Sequence, residues 1–237
     1  MKNVASPEAA RPAWPASLYA SPRVPILPQS PRESLVAEDI LEGCRRAIQQ
    51  LDLDSISSIG ITSAVHGEGR TSVALAVALA LAEYGLNPIL VELDFAQPEL
   101  GQRLGVVKTP GLADLAEGRA NLNDILRSVA PGLVLIPAGV LHGSGQRALR
   151  QLATIGLVEK LSSEGHVVVA DLPPLLGNSV GRLAVSLVAD LILVVRAGVV
   201  PVGSIKEAIN GLPVEPKVLL NGTHSNVPSW ALRLSGI

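Results

Sequence analysis

Aromatic side chains are almost absent from this chain of 237 residues, which has one phenylalanine, two tyrosines and two tryptophans. Proteins that hold single-stranded nucleic acid stack its bases on several aromatic faces. The formal net charge of −2 also supplies no general positive field for a phosphodiester backbone. No nucleic-acid partner is therefore expected. Because 48% of the residues are hydrophobic and nearly all of these are aliphatic, the composition predicts an aliphatic core.

Cysteine and uninterrupted apolar runs are also scarce. Cys44 is the only cysteine, so no internal disulfide can form and a reducing cytoplasm is the expected location. The longest apolar stretch, 183–200, contains Asp190 and Arg196, which indicates a helix end followed by a buried strand instead of a membrane span. The N-terminus shows no continuous apolar segment of a secretory signal. These features predict a cytoplasmic protein, placed at most against the inner face of the plasma membrane.

The composition changes along the chain and divides it into four segments. Residues 1–31 are rich in proline, which excludes a regular helix and predicts a disordered tail. Residues 32–50 carry apolar side chains at helical spacing, which predicts one amphipathic helix. Residues 51–222 form the predicted domain. Residues 223–237 are a short C-terminal tail, for which packing on the domain or disorder is favoured over a membrane-surface helix.

Short apolar runs alternate with helical patterns through the predicted domain, as is typical of parallel strands joined by crossover helices. The runs 89–91, 167–169 and 191–195 are continuously apolar, which is expected of strands covered on both faces. We therefore predict an α/β fold with a doubly wound, mostly parallel sheet flanked by helices. Its predicted strands are 57–62, 88–93, 133–137, 166–171, 191–196 and 217–221.

Polar residues stand at the predicted carboxyl ends of four strands, at Ser63, Asp94, Asp171 and Asn221. Ligands of doubly wound sheets gather in the crevice at that edge. We therefore expect these four residues to face one site.

A glycine-rich turn joins the first predicted strand to a predicted helix over 73–84. Its two glycines let successive backbone N–H groups point inward, and the helix N-terminus adds about half a positive charge there. For two glycines alone a plain tight turn is the alternative, but the flanking strand and helix favour a phosphate loop. Its predicted cofactor-binding residues are Gly67, Glu68, Gly69, Arg70, Thr71 and Ser72, with the Thr71 hydroxyl expected on Mg²⁺.

Arginine stands at position 70, where the phosphate-loop pattern G-x-x-x-x-G-K-[ST] has lysine. The guanidinium is planar and always charged, whereas lysine is a compact point charge, so the two are not interchangeable. We expect Arg70 to pair with phosphate oxygens outside the pocket shaped for lysine. Binding should therefore survive this change better than catalysis.

Acidic residues end two of the predicted strands. Glu92 and Asp94 alternate along one strand, which places both on the same strand face, and Asp171 ends an apolar run of Walker B shape. Mg²⁺ prefers oxygen ligands, and an attacking hydroxyl needs a base. We therefore predict a metal site and a catalytic group, against the alternative of a solvated acid pair at a strand terminus. The predicted metal ligands are Thr71, Asp94 and Asp171, and the predicted catalytic residues are Asp94, Glu92, Asp171 and Arg70.

Several ordered motifs of the chain are similar to those of the bacterial tyrosine kinases (BY-kinases). Residues 62–72 resemble that family's Walker A motif, T-S-A-x-x-G-E-G-K-[ST], and residues 90–98 resemble its second Walker motif, D-x-D-x-R-x-P. Residues 171–174 resemble its D-T-P-P Walker B motif, and residues 111–118 its G-L-S-D-x-L-x-G stretch. Over about residues 32–222, the chain resembles the CpsD/CapB type and the cytoplasmic domain of Wzc-like polysaccharide co-polymerases.

This resemblance carries expectations about fold, cofactors and partners. It implies a P-loop NTPase fold of the SIMIBI/MinD-like class, ATP and Mg²⁺ as cofactors, and contact of Asn221 with adenine. It also implies autophosphorylation on a C-terminal tyrosine cluster. The implied partner is a membrane polysaccharide co-polymerase of the Wzz/CapA kind, through which the protein would associate peripherally with the membrane. The implied pathway is capsule or exopolysaccharide biosynthesis and export.

The chain departs from the family pattern at several motif positions, and its residues 223–237 contain no tyrosine. These departures predict an ATP-binding protein that regulates its membrane partner, with tyrosine kinase activity weakened or lost. The alternative is an active protein-tyrosine kinase or ATPase that acts on a separate substrate, because every acidic motif position keeps an acid. The departing positions are Arg70, Glu92, Ala96 or Gln97 for the motif arginine, and Asn178.

Two further alternatives concern assembly and superfamily. The segment Glu42–Arg45 is a partial likeness to the E-x-x-R-x-x-R motif by which these kinases form rings, which would make a homo-oligomer. An intrahelical pair of Glu42 with Arg45 or Arg46 is the favoured alternative. A MinD/ParA-like positioning ATPase is the other candidate. Against it, the phosphate loop lacks the extra N-terminal lysine of the K-G-G-x-x-K pattern.

Overall fold

A computed structural model describes residues 35–49, 53, 55–106, 110–177 and 179–222, so the predicted tails 1–31 and 223–237 and the position of Asn178 lie outside these residues. The helices are α1 (Glu38–Ile48), α2 (Arg70–Glu83), α3 (Leu100–Arg103), α4 (Leu112–Ala116), α5 (Leu122–Ile125), α6 (Gly145–Thr154), α7 (Leu157–Ser163), α8 (Ser179–Val185) and α9 (Val202–Ile209). The strands are β1 (Ser58–Ser63), β2 (Pro88–Glu92), β3 (Arg127–Ala130), β4 (Leu133–Ile136), β5 (Val167–Asp171), β6 (Asp190–Arg196) and β7 (Pro216–Asn221).

The strands form one sheet in the order β3-β4-β2-β5-β1-β6-β7. Every neighbouring pair is parallel except β3 with β4. The central strands β1, β2 and β5 are buried along their whole length, which the continuous apolar runs 89–91 and 167–169 predicted for β2 and β5. The predicted α/β, mostly parallel sheet is confirmed, and all six predicted strands are present with ends shifted by at most one residue.

Strand β3 was missed by the sequence reasoning. It pairs antiparallel with β4 at the edge of the sheet, across a turn in which Gly132 has a φ of 75°. Of its residues only Val129 is buried. A half-exposed edge strand with one buried side chain gives no apolar run, so its sequence shows no periodicity to detect.

Helix α2 is buried around almost its whole circumference, because it lies between the sheet and α1. The amphipathic α1 covers it with Leu41, Cys44 and Ile48, so the helix predicted over 32–50 is found as Glu38–Ile48. Arg45 joins the two helices through both carboxylate oxygens of Glu83, at 2.9 and 3.1 Å. This packing fixes the N-terminus of α2 beside the carboxyl ends of β1, β2 and β5.

The opposite face of the sheet is covered by a second apolar layer, to which α6, α7, α8 and α9 contribute. Within the described part of the chain, no helix combines the length and the apolar character that crossing a membrane would need.

Candidate functional site

The turn between β1 and α2 has the backbone that the glycine pattern predicted. Gly67 and Gly69 adopt φ values of 82° and 92°, a region that side-chain-bearing residues rarely occupy. A Cβ atom at position 69 would also lie 2.2 Å from the side-chain nitrogen of Asn221, whereas one at position 67 would meet open space. The positive φ therefore selects glycine at position 69, and a side chain there would also force the Asn221 amide to move.

Glu68 stabilises this turn through hydrogen bonds of its buried side chain. Its buried carboxylate accepts hydrogen bonds from the backbone N–H groups of Val65 and Arg196, each at 3.0 Å. Asn221 donates its amide to the Glu68 carbonyl at 2.8 Å. The turn is thus tied to the ends of β6 and β7. The structure places Asn221 beside the predicted phosphate loop, and its contact with adenine stays a prediction.

Arg70 is the first residue of α2, but its guanidinium extends towards the carboxyl ends of β2 and β5 and not towards the glycine-rich turn. Nη2 lies 2.6 Å from Oδ2 of Asp94, and Nε lies 3.1 Å from Oδ1 of Asp171. The residue is only 6% exposed. Two buried carboxylates thus satisfy the charge of Arg70 in this arrangement, and its pairing with phosphate oxygens stays a prediction.

Asp94 and Asp171 come together as predicted, although they follow different strands. The other oxygen of Asp94 accepts the backbone N–H groups of Ala96 and Gln97, both at 3.1 Å. Burial raises the pKa of Asp171 to about 7, while the Arg70 charge and a hydrogen bond from the Thr71 side chain act in the opposite direction. The Thr71 side chain is thus hydrogen-bonded to Asp171, the residue with which it is predicted to bind Mg²⁺.

Glu92 shares the face of the sheet on which Asp171 lies, because both continue the alternation of residues packed towards α2. Its carboxylate is buried and accepts backbone N–H groups from Leu100 and Ala138, the latter at 3.0 Å. Burial raises the pKa of Glu92 despite these hydrogen bonds. Glu92 therefore anchors α3 and the segment after β4, and its catalytic role stays a prediction.

A second cation, Arg103, was missed by the sequence reasoning. Its Nη1 donates to the Ser72 hydroxyl at 2.8 Å, and its Nη2 contacts Glu99 at 2.6 Å. The side chain is 41% exposed. It extends from α3 to the outer edge of the phosphate loop, where it contacts Ser72. An i,i+4 pairing of Glu99 with Arg103 was visible in the sequence, but nothing there indicated that α3 lies next to Ser72.

The donor set has the chemistry of a magnesium site, since Thr71, Asp94 and Asp171 offer one hydroxyl and two carboxylates on one face. In this arrangement the set does not fit the ion, because the Arg70 guanidinium is bonded to both carboxylates. Across the residues that the structure describes, no group of three or more histidine, cysteine, aspartate or glutamate side chains is arranged to hold a metal.

The turn, the helix that follows it and the two acidic strand ends define the class as a P-loop nucleotide-binding α/β domain.

No family model matches the chain. EpsB of Ralstonia solanacearum, described as a tyrosine-protein kinase, is 26% identical over 176 residues, which are 73% of this chain and 24% of EpsB. The tyrosine-protein kinase CpsD of Streptococcus agalactiae is 25% identical over 74% of this chain and 77% of CpsD. The chain therefore spans about a quarter of the length of EpsB and most of CpsD.

The solved structures point the same way. The tyrosine kinase domain of BceF is 25% identical with a TM-score of 0.64, covering 81% of this chain and 77% of that one. The kinase domain of the Escherichia coli tyrosine kinase ETK superposes with a TM-score of 0.72 over 80% of this chain and 78% of that one, and its 21% identity shows the fold alone. MinD in the MinC:MinD complex of Aquifex aeolicus shares the fold with a TM-score of 0.58 at 22% identity, covering 76% of this chain and 72% of that one.

The relatives of the chain thus include bacterial tyrosine-protein kinases, and the structures similar to it include BY-kinase domains. These findings confirm the predicted resemblance to the CpsD-like BY-kinases and the P-loop NTPase fold with MinD-like neighbours. A relative outside the kinases is the antiactivator FleN of Pseudomonas aeruginosa, 30% identical over 56% of this chain and 48% of FleN.

Proposed function

We propose that this protein is an ATP-binding, BY-kinase-like regulator of capsule or exopolysaccharide biosynthesis and export, with tyrosine kinase activity weakened or lost. The observation that carries the proposal is the position of Arg70. It replaces the lysine of the family motif, and its guanidinium is bonded to Asp94 and Asp171 instead of facing the turn. The turn that would hold a nucleotide is retained. The charged side chains beside it, Arg70, Asp94 and Asp171, are bonded to each other.

ATP would bind along the phosphate loop. The backbone N–H groups of Gly67–Ser72 and the N-terminus of α2 would hold its phosphates. Asn221 would contact adenine from the end of β7, where its side chain already reaches the turn. Mg²⁺ would reach Thr71, Asp94 and Asp171 only after Arg70 leaves the two carboxylates.

Phosphoryl transfer depends on charge that is directed at the transferred group in the transition state. With Arg70 bound to Asp94 and Asp171, its positive charge is not directed at the transferred phosphoryl group. Losing one contact that stabilises the transition state costs roughly 3 kcal/mol, or about a hundredfold in rate. Glu92, the remaining acid of the proposed catalytic group, is bonded to backbone N–H groups. Weak or absent transfer follows from this arrangement.

The proposed location is the cytoplasm, at the inner face of the plasma membrane, through a membrane co-polymerase of the Wzz/CapA kind. A homo-oligomer through the partial ring motif receives less support. Arg45 is bonded within α1 to Glu38 at 2.8 Å and Glu42 at 3.3 Å, and across to Glu83 of α2. The alternative of a pair inside the helix is therefore the arrangement that the structure contains.

Two measurements on the purified chain test the proposal. Calorimetric titration with ATP should show binding, and absence of binding with or without Mg²⁺ would remove the nucleotide part. Incubation with labelled ATP and a tyrosine-containing polymer should give no more label than Asp171→Ala gives. Label or hydrolysis well above that variant would establish the alternative, an active kinase or ATPase with a separate substrate.

A MinD/ParA-like positioning ATPase is the second candidate, and the likeness of the fold to the cell division protein MinD favours it. Such a switch would bind a membrane or DNA only in its ATP state. Co-sedimentation with anionic lipid vesicles or with duplex DNA, with and without ATP, distinguishes the two candidates. ATP-dependent sedimentation would support the switch, and its absence together with ATP binding would support the kinase-like regulator.

A further inference from the structure

The acidic groups at the strand ends have few free oxygens left. Asp94 uses one oxygen for backbone N–H groups and the other for Arg70, and Asp171 uses one oxygen for Arg70. Glu92 uses both oxygens for backbone N–H groups. A divalent ion entering here would meet carboxylates that already have hydrogen-bonded partners.

The guanidinium lies between two acids that follow different strands. Its planar fork donates from Nη2 to Asp94 and from Nε to Asp171, a geometry that a compact ammonium cannot reproduce. Because Arg70 is also the first residue of α2, this cation is covalently part of the phosphate loop. It is bonded to Asp94 and Asp171, the two carboxylates that a metal ion at this site would have to use.

We propose that Arg70 is the resident cation of this site, so that the protein binds ATP without a divalent ion and the Arg70 guanidinium and Mg²⁺ exclude each other. The proposal rests on the proposed function as far as ATP is concerned. The exclusion of Mg²⁺ by Arg70 stands on the ion pairs alone.

The burial of the ion pairs and the hydration of Mg²⁺ both oppose replacement of the Arg70 guanidinium by the ion. Both carboxylates are almost fully buried, with side-chain exposures of 1% and 2%, and the Arg70 side chain is 7% exposed. Separating a buried charge from its partner is strongly unfavourable, because neither group regains water. Mg²⁺ would in addition have to shed part of its tightly held hydration shell to enter this space.

Calorimetric titration with ATP in EDTA and in excess Mg²⁺ tests the ATP part. The affinity of the unaltered protein should differ by less than about threefold between the two conditions. In Arg70→Lys, the shorter side chain and compact ammonium lose the two-pronged contact with Asp94 and Asp171, so Mg²⁺ should strengthen ATP binding by about tenfold or more, equivalent to about 1.4 kcal/mol. Arg150→Lys makes the same substitution at an exposed arginine of α6, on the opposite face of the sheet, and should behave like the unaltered protein. An unaltered protein that needs Mg²⁺ as strongly as Arg70→Lys does would overturn the proposal.

A thermal-shift measurement with Mg²⁺ and no nucleotide tests the exclusion independently of ATP. The Tm of the unaltered protein should not change, whereas the Tm of Arg70→Met should rise, because this variant leaves Asp94 and Asp171 open to the ion. Equal Mg²⁺-dependent shifts in both proteins would refute the exclusion. Where Arg70→Met does not fold, Arg70→Lys takes its place with the same two outcomes. If ATP does not bind at all, the proposed function fails, and this measurement still decides the role of Arg70.

Discussion

Replacing Arg70 by methionine should destabilise the fold far more than a substitution at an exposed arginine. Methionine retains most of the apolar stem of the side chain but removes the guanidinium from between Asp94 and Asp171. The two acids, with side-chain exposures of 1% and 2%, would then face each other without a counterion. Breaking a buried ion pair in this way costs about 3–5 kcal/mol. For a domain of this size the Tm should fall by roughly 6–20 °C.

The assay is urea unfolding at pH 8, followed by circular dichroism, with no divalent ion present. The matched control is Arg103→Met, which removes a guanidinium from the exposed pair with Glu99 and should cost about 1 kcal/mol or less. If Arg70→Met costs no more than this control, the guanidinium does not hold the two strand ends together. The reasoning on the resident cation would then be wrong.

Three further predictions follow from groups in and around the same core. The pKa of Asp171, raised from 3.8 to about 7, means that the folded state binds more protons in this range. Asp171 should therefore make the unfolding free energy fall with rising pH between 4 and 7, by up to about 1.4 kcal/mol per unit, and Asp171→Asn should lack this component in urea titrations. Glu92→Gln should lower the unfolding free energy by about 1–3 kcal/mol, because one of two buried backbone N–H groups would face an amide NH₂. A variant as stable as the unaltered protein would show that Glu92 is no anchor. Burial raises the pKa of the Cys44 thiol to about 12, so a thiol reagent at pH 8 should react only after unfolding; rapid reaction in native buffer would contradict the packing of α1 on α2.

Much of the fold follows from local sequence patterns. The strands at the centre of the sheet are recognisable because they are buried on both faces and their apolar runs are therefore continuous. Gly69 is recognisable because a positive φ before a helix selects glycine. The antiparallel β3 leaves no such pattern, since only Val129 is buried.

The site is less predictable than the fold, because spacing places a residue without deciding which partner its side chain chooses. The position of Arg70 at the start of α2 indicates a cation near phosphate, but the choice between phosphate and the acids depends on distances across three strands. Glu68 illustrates the same point, since its carboxylate reaches the backbone of Arg196, which is distant in the chain. The contact of Arg103 with Ser72 likewise depends on where α3 packs.

The central claim is that the turn 67–72 binds the phosphates of ATP. The most direct measurement is calorimetric titration with ATP of the unaltered protein and of Gly69→Val, in EDTA and again in excess Mg²⁺. At position 69 a side chain meets a φ of 92° and the Asn221 amide at 2.2 Å from its Cβ. Gly118→Val imposes similar backbone strain, with a φ of 72° and no atom within 4 Å, away from the turn. The account predicts binding to the unaltered protein and to Gly118→Val, and at least about tenfold weaker binding to Gly69→Val, since 1.4 kcal/mol of distortion suffices for this. Absence of binding to the unaltered protein in both conditions, or equal binding to Gly69→Val, would contradict it.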